Sequence, residues 1–153
     1  MKAPKLVSWD EFGELTSHVA AHLSYDVPDC IVGLARGGLV PAVRLSHMLN
    51  IPMISLNLSL RDDKVGGLDL SQLDKYNNIA VVDDICDSGK TFHVLDIYLQ
   101  EYGFTNIQWC TLYSKATSMF KPTIIGEVIK EIDLSLIHIS EPTRPERISD
   151  GRL

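Results

Sequence analysis

The stretch Val81-Val82-Asp83-Asp84-Ile85-Cys86-Asp87-Ser88-Gly89-Lys90-Thr91 decides the fold of this chain. The apolar run Ile79–Val82 predicts a short buried strand, and the pattern after Thr91 predicts a helix. A strand, a turn and a helix N-terminus in this order direct backbone N–H groups and the helix dipole at an anion. Three carboxylates beside an anion site would repel a phosphate, so they indicate a further ligand: hydroxyl groups, a divalent metal ion or a proton.

The end of this stretch, Gly89-Lys90-Thr91, matches the last three positions of the Walker A loop, G-x-x-x-x-G-K-[ST]. The first glycine of that motif falls at Asp84, whose carboxylate would repel the phosphates of a nucleotide. An ATPase is therefore disfavoured.

A second strand–turn–helix unit lies upstream. The apolar run Cys30–Leu34 predicts a buried strand, and the turn Ala35-Arg36-Gly37-Gly38 leads from it into a helix that reaches Leu49. Paired glycines let the backbone approach a ligand closely, and an arginine adds a fixed cation. A turn of this kind also occurs as a plain connection in which the glycines serve packing. Its spacing does not match the dinucleotide fingerprint G-x-G-x-x-G.

Strands and helices alternate along the rest of the chain. Ser8 and Glu11 form a capping box for a first helix that runs to about Leu23. The other predicted elements are a strand over Ile51–Leu58, a polar segment over Ser59–Lys75, a helix over Thr91–Tyr102 with Val94, Leu95, Tyr98 and Leu99 on its buried side, a strand over Asn106–Tyr113 and a short strand over Ile124–Ile129.

This alternation predicts an α/β fold with a doubly wound, mostly parallel sheet. Ligands bind such sheets beyond the carboxyl ends of the strands. The turn 35–38, residues 83–91 and Lys115 should therefore project from one edge. The polar segment Ser59–Lys75 predicts either a disordered loop or a functional lid.

The composition describes an ordinary globular protein of 153 residues, 45% hydrophobic and 22% charged, which predicts one domain. A net charge of −6 argues against a nucleic-acid-binding surface. No apolar run approaches the roughly 20 residues needed to span a bilayer, so we expect no integral membrane segment. The three cysteines have no metal-ligand spacing, which indicates reduced thiols and a cytoplasmic protein.

The texture of the sequence changes at Leu134, after which neither a helical nor a strand period is sustained. The run from Leu134 to Arg144 resembles the translated read-through of a transposase-end sequencing adapter, and such scars are excluded from fold reasoning. A genuine disordered tail is the alternative. We expect a domain over residues 1–133 and a non-native or disordered tail over residues 134–153.

The stretch Val81–Thr91 resembles the phosphoribosyl-diphosphate motif of type I phosphoribosyltransferases, which has apolar strand residues, two acids, two variable positions and then Asp-Ser-Gly-Lys-Thr. Three further segments, at 7–10, 35–41 and 113–115, are similar to the short bacterial xanthine–guanine phosphoribosyltransferases, and the resemblance spans about Val7 to Asp133. It implies the type I phosphoribosyltransferase fold. It also implies an enzyme of purine salvage that converts a 6-oxopurine (guanine, xanthine or hypoxanthine) and phosphoribosyl diphosphate into a nucleoside monophosphate and diphosphate.

The resemblance implies a role for each residue that binds the sugar phosphate. Asp83 and Asp84 would bind the ribose hydroxyls, directly or through Mg²⁺, and favour the positively charged transition state. The predicted phosphate-binding residues are Ser88, Gly89, Lys90 and Thr91. The predicted diphosphate-binding residues are Ala35, Arg36, Gly37 and Gly38. The segment Ser59–Lys75 would be the mobile lid that shields the reaction from water.

Two residues would serve the purine. Asp87 is the candidate general base near N7, and Lys115 would contact the oxygen at C6 and so select oxopurines over adenine. The chain departs from related enzymes at Ala35, where they often carry Ser, and after Asp133. There they have an aromatic residue and a Pro-Trp segment that complete the base pocket, so the base-binding hood of this chain is predicted to be truncated.

Two alternatives stay open on the same fold. A non-catalytic regulator that senses phosphoribosyl diphosphate would need a basic face if it bound nucleic acid, which the acidic balance does not favour. A pyrimidine transferase of the orotate or uracil type is disfavoured by Asp87 together with Lys115. The family likeness suggests a homo-oligomer, either a dimer or a tetramer.

Overall fold

The computed structural model describes residues 6–58, 60–61, 64–65, 68–130 and 138–139, with residues 6, 60–61, 64–65 and 138–139 described by their backbone alone. In chain order, its elements are β1 (Leu6–Val7), α1 (Trp9–Leu23), β2 (Cys30–Ala35), α2 (Leu39–Leu49), β3 (Met53–Asn57), β4 (Leu60–Arg61), β5 (Lys64–Val65), the 3₁₀ turn Ser71–Leu73, β6 (Asn78–Cys86), α3 (Lys90–Tyr102), β7 (Asn106–Lys115), β8 (Ile124–Ile129) and β9 (His138–Ile139).

Five of these strands form one sheet in the spatial order β3-β2-β6-β7-β8, and every neighbouring pair is parallel. One face of the sheet packs against α1 and α2, and the other against α3 and the 3₁₀ turn. A parallel sheet covered on both faces favours the nearly continuous apolar runs seen in β2 and in the first half of β6. The predicted doubly wound α/β fold is confirmed.

The first helix begins where the sequence predicted. The hydroxyl of Ser8 accepts the backbone N–H of Glu11 at 3.0 Å and so caps α1. The carboxylate of Glu11 accepts the phenol O–H of Tyr113 in the sheet. The acidic residue of the predicted capping box therefore also ties α1 to β7.

Strand β6 is longer than the predicted strand Ile79–Val82. It stays paired with β7 as far as the pair Cys86 and Ser114, so both adjacent acids lie within the strand and not in the turn after it. Acidic residues are depleted in strands, which is why the sequence pattern predicted an earlier end.

The buried side of α3 also differs from the prediction. Leu95 and Leu99 are buried as expected, but Tyr98 is 36% exposed and Phe92 is buried in its place. Phe92 lies in the first turn of α3 and packs against Trp109, with 4.9 Å between ring centroids. Because of this aromatic contact, the buried face of α3 begins in its first turn, at Phe92, and does not include Tyr98.

The predicted lid segment Ser59–Lys75 divides into two parts. Strands β4 and β5 form a short antiparallel ladder, whereas Leu70 and Leu73 are buried in the core beneath the sheet. The carboxylate of Asp69 accepts the N–H of Ser71 at 3.0 Å and starts the 3₁₀ turn. The end of this segment is therefore part of the packed domain, and the predicted lid stays a prediction for the first part. Residues 59, 62, 63, 66 and 67 lie outside the described residues.

The predicted tail is described at two residues alone. His138 and Ile139 form β9, which pairs in parallel with β1 at Leu6 and Val7. The proposed boundary after Asp133 and the rest of residues 134–153 lie outside the described residues, so the two-part division of the chain stays a prediction. In the part of the chain that the structure describes, no helix is long and apolar enough to cross a membrane.

Candidate active site

Three segments meet at the carboxyl edge of the sheet because β6 pairs with β2 on one side and with β7 on the other. Ala35, Cys86 and Lys115 are the last residues of these three strands. The turn 35–38, the acids of β6 with the loop that follows, and Lys115 therefore lie at one edge, as the sequence predicted.

The turn 35–38 lies directly against β6. The peptide bond between Ala35 and Arg36 is cis. A Cβ atom at Gly38 would lie 2.2 Å from the carbonyl oxygen of Val82, and one at Gly37 would lie 2.5 Å from each carboxylate oxygen of Asp84. Backbone atoms exclude a side chain at Gly38, whereas at Gly37 the space is taken by the movable carboxylate of Asp84.

Arg36 extends from this turn into solvent. Its side chain forms no ion pair with any residue that the structure describes, and its carbonyl oxygen accepts the N–H of Leu39 at 3.1 Å. An exposed guanidinium above a glycine turn is available for an anionic ligand.

The adjacent acids of β6 are half-buried and close to one another. The carboxylate of Asp83 accepts the N–H of Asp84, and the carboxylate of Asp84 accepts the N–H of Ile85, each at 2.8 Å. Burial, and next the negative charge of Asp84, raises the pKa of Asp83 to about 8. Two carboxylates that resist joint ionisation favour a ligand that brings positive charge or hydroxyl donors.

These acids fit a magnesium ion shared with a substrate. Mg²⁺ prefers oxygen ligands and is commonly held by one or two carboxylates, with water and substrate oxygens completing its octahedron. Among the described residues, no group of three or more His, Cys, Asp or Glu side chains could hold a metal ion by itself. The substrate and water would therefore supply most of the ligands.

Residues 87–91, which we call the phosphate loop after their predicted ligand, surround a small cavity. The cavity has a volume of about 100 Å³ and is lined by Asp83 and residues 85–92. Gly89 has a φ of +88° and caps α3, and the hydroxyl of Ser88 accepts the N–H of Lys90 at 3.2 Å. A cavity of this size at a helix N-terminus suits one phosphate group.

Lys115 and Asp87 face each other beside this cavity. The Nζ atom of Lys115 lies 3.8 Å from Oδ1 of Asp87, and their side chains are 34% and 63% exposed. Two residues from separate segments of the sequence thus form a pair that presents one hydrogen-bond donor and one acceptor to the same space.

The structure adds a segment that the sequence analysis missed. The β7–β8 loop, which we define as residues 116–123, packs against the phosphate loop. The N–H of Met119 donates to the carbonyl of Ser88 at 2.9 Å, and a Cβ atom at Gly89 would lie 2.6 Å from both the hydroxyl of Ser118 and the N–H nitrogen of Phe120. The available signal was position alone, since these residues follow the carboxyl end of a strand.

A larger cavity lies elsewhere, between α1 and α2. It has a volume of about 500 Å³ and is lined mainly by apolar side chains, among them Trp9, Val40 and Met48. No carboxylate and no glycine turn of the described residues lines this cavity. The carboxyl edge of the sheet is therefore the better candidate for an active site.

The chain resembles known phosphoribosyltransferases. A family model described as "Phosphoribosyl transferase domain" matches residues 8–146. The xanthine-guanine phosphoribosyltransferase of Idiomarina loihiensis is 31% identical over 121 residues, which cover 74% of this chain and 72% of that protein. The solved structure of a purine phosphoribosyltransferase from Pyrococcus horikoshii is 26% identical and superposes with a TM-score of 0.75, covering 90% of this chain and 95% of the other. The xanthine-guanine-hypoxanthine phosphoribosyltransferase of Helicobacter pylori, at 20% identity, has the same fold, with a TM-score of 0.75 over 91% of this chain and 92% of the other.

Proposed function

Because the chain belongs to the phosphoribosyltransferase family, as its motif predicted, we propose that it transfers a 5-phosphoribosyl group from phosphoribosyl diphosphate to a 6-oxopurine. The products are a nucleoside monophosphate and diphosphate, and the reaction serves purine salvage. The names of its relatives from Idiomarina loihiensis and Pyrococcus horikoshii support a purine as the acceptor.

The pairing of Lys115 with Asp87 is the observation that carries this proposal. A 6-oxopurine presents O6 and N7 side by side on one edge of the ring. An ammonium group and a carboxylate 3.8 Å apart suit those two atoms, the lysine donating to O6 and the aspartate accepting the N–H at N7. Adenine would turn an amino group toward the lysine, so that a donor would meet a donor.

The reaction follows from this placement. The N9 lone pair of the purine forms a bond to C1′ of the ribose while the bond from C1′ to the diphosphate oxygen breaks. The proton at N7 passes to Asp87, and the bonding electrons leave with the diphosphate. A general base at this position typically contributes 10²–10⁴-fold, so roughly that loss follows its removal.

The remaining residues bind and orient the sugar phosphate. The phosphate loop holds the 5′-phosphate. The turn 35–38 holds the diphosphate through the N–H groups of Arg36 and Gly37 and the guanidinium of Arg36, since the N–H of Gly38 donates to the carbonyl of Leu34. Asp83 and Asp84 accept hydrogen bonds from the ribose hydroxyls. Their negative charge stabilises the positive charge that develops on the ribose as the diphosphate departs. Mg²⁺, held by the same two acids, would supply charge neutralisation for the diphosphate.

Three broader features complete the proposal. The predicted lid segment Ser59–Lys75, apart from its packed end at Leu70 and Leu73, serves to shield the reaction from water, which would otherwise hydrolyse the activated sugar. The three buried free thiols at Cys30, Cys86 and Cys110 support a reducing, cytoplasmic setting. A homo-oligomer, dimer or tetramer, is supported by the family likeness alone.

A panel of bases tests the proposed function. The protein is incubated with phosphoribosyl diphosphate and guanine, xanthine, hypoxanthine, adenine or uracil, with Mg²⁺ or with a chelator, and the release of diphosphate is measured. We expect turnover only with the three oxopurines, and only when Mg²⁺ is present. Turnover with uracil alone would instead assign a pyrimidine transferase.

A chimera resolves the remaining outcome. If the chain binds phosphoribosyl diphosphate but turns over no base, its C-terminal residues after Asp133 are replaced by those of the Idiomarina loihiensis relative. Recovered turnover on oxopurines would support the transferase proposal and locate the defect in the base pocket. A chimera that still binds without turnover would support the non-catalytic regulator.

A further inference from the structure

The β7–β8 loop forms the surface on which the phosphate loop rests. The N–H of Met119 donates to the carbonyl of Ser88, and Gly89 leaves no space for a side chain above Ser118 and Phe120. Any displacement of residues 116–123 is therefore transmitted to the backbone that lines the phosphate cavity.

Ser118 lies at the centre of this contact and is 3% exposed. Its hydroxyl donates to the carbonyl of Phe120 at 2.7 Å and accepts the N–H of the same residue at 3.3 Å. Its oxygen also lies 3.2 Å from Sγ of Cys86, the last residue of β6. Either of these two atoms could be the donor, and the thiol of Cys86 also lies 3.7 Å from the carbonyl oxygen of Phe120. Ser118, Cys86 and Phe120 thus form one small hydrogen-bond cluster at the end of β6.

Ser118 also contacts the part of the site that is proposed to bind the purine. The backbone N–H of Ser118 donates to the carbonyl of Lys115 at 3.0 Å. Ser118 thus joins the strand end that carries Lys115 to the strand end that leads into the phosphate loop. Its side chain makes one of these connections and its backbone makes the other.

Phe120 extends the connection to α3. Its ring packs against Phe92 and Trp109, with ring centroids 5.6 Å and 5.3 Å apart. Phe92 lies in the first turn of α3, directly after the phosphate loop. The β7–β8 loop therefore contacts both the backbone of the phosphate loop and the helix that follows it.

We propose that Ser118 is a positioning residue that fixes the phosphate loop relative to Lys115 through its hydrogen bonds to Cys86 and Phe120. This inference rests on the proposed function, because it assigns the phosphate loop to the 5′-phosphate and Lys115 to the purine. The new element is that the distance between the phosphate loop and Lys115 is set by a residue that touches neither ligand.

Isothermal titration of the full chain tests the inference with two probes, ribose 5-phosphate for the phosphate loop and Mg²⁺-pyrophosphate for the turn 35–38. We expect Ser118→Ala to weaken ribose 5-phosphate binding about tenfold, the effect of losing the hydrogen bonds that hold the loop in its binding geometry. Pyrophosphate affinity should stay within about twofold. Ser118→Cys under reducing conditions retains a weak donor and acceptor and should restore most of the affinity.

Two controls separate the outcomes. Thr117→Ala alters an exposed neighbour in the same loop and should leave both affinities unchanged. A general folding defect would lower the number of binding sites for both probes without changing either affinity, and this result would overturn the positioning role. So would an unchanged ribose 5-phosphate affinity in Ser118→Ala. If Ser118→Ala does not fold, Ser118→Cys carries the test. An equal loss of affinity for both probes in that variant, or a loss in Thr117→Ala as large as the one in Ser118→Cys, would then overturn the positioning role. Failure of the unaltered chain to bind ribose 5-phosphate would instead refute the proposed function.

Discussion

Replacing each glycine of the turn 35–38 by alanine should separate activity from stability. A Cβ atom at Gly37 would lie 2.5 Å from the carboxylate oxygens of Asp84, which are the free end of a side chain and can rotate away. A Cβ atom at Gly38 would lie 2.2 Å from the carbonyl oxygen of Val82 and under 3.0 Å from two backbone atoms of Leu34. Those atoms belong to paired strands and cannot move without disrupting the sheet.

The expected magnitudes differ accordingly. Turning the Asp84 carboxylate out of its rotamer costs about 0.5–1.5 kcal/mol, so Gly37→Ala should lower the Tm by roughly 1–6 °C. Overpacking against backbone lies at the upper end of its range, about 3 kcal/mol, so Gly38→Ala should lower the Tm by roughly 6–12 °C or more. For activity, a carboxylate displaced by about 1 Å reduces kcat/KM for phosphoribosyl diphosphate about 10²-fold in Gly37→Ala.

Thermal unfolding and steady-state kinetics on the same preparations measure both effects. Gly13→Ala in α1 is the matched control, because its Cβ would meet no atom closer than 3.9 Å and alanine favours a helix interior. It should keep full activity and an equal or higher Tm. Wild-type kcat/KM in Gly37→Ala would refute the contact of the turn with Asp84 as part of the site, and a wild-type Tm in Gly38→Ala would refute the packing argument.

Three further predictions concern single side chains. Asp87→Asn should lower kcat with guanine or xanthine by about 10²-fold or more in a diphosphate-release assay, because an amide cannot take the purine proton; near-normal turnover would remove the general-base role. Lys115→Ala should raise the KM of the oxopurine far more than that of phosphoribosyl diphosphate, and equal losses in both would argue against base recognition. Without Mg²⁺, the free energy of unfolding should fall as the pH rises from about 4 to about 8, because native Asp83 retains a proton that the unfolded chain releases above the ordinary aspartate pKa. Urea titrations across this range measure that slope; Asp83→Asn should flatten it, and a persistent slope would contradict the assignment.

The sequence predicted the architecture well because its apolar runs are strong signals. The five strands of the sheet, the helices α2 and α3 that lie between them in sequence and the meeting of three segments at one edge all follow from strands that alternate with helices. Buried parallel strands and helix caps such as Gly103, which has a φ of +116°, leave local traces that need no knowledge of tertiary contacts.

The sequence failed where tertiary contacts decide. Nothing local shows that β6 continues through its acids, since that depends on hydrogen bonds to β7. Leu70 and Leu73 are buried by a core that the polar residues around them do not suggest. Ser118 belongs to no recognisable sequence motif. It comes to lie against Gly89 only when β7 and β8 pair and the loop between them folds. The roles of the site residues themselves stay predictions until they are measured.

The central position of β6 also has a consequence for how the chain folds. Its parallel pairings with β2 and β7 both join segments that are distant in sequence, and such contacts form slowly because chain entropy is lost before they stabilise anything. A partly folded chain that lacks β6 in the sheet does not hold together the three segments that are proposed to bind the ligand. We therefore expect a ligand to bind only the finished sheet and, by mass action, to protect all three segments from proteolysis as one cooperative unit.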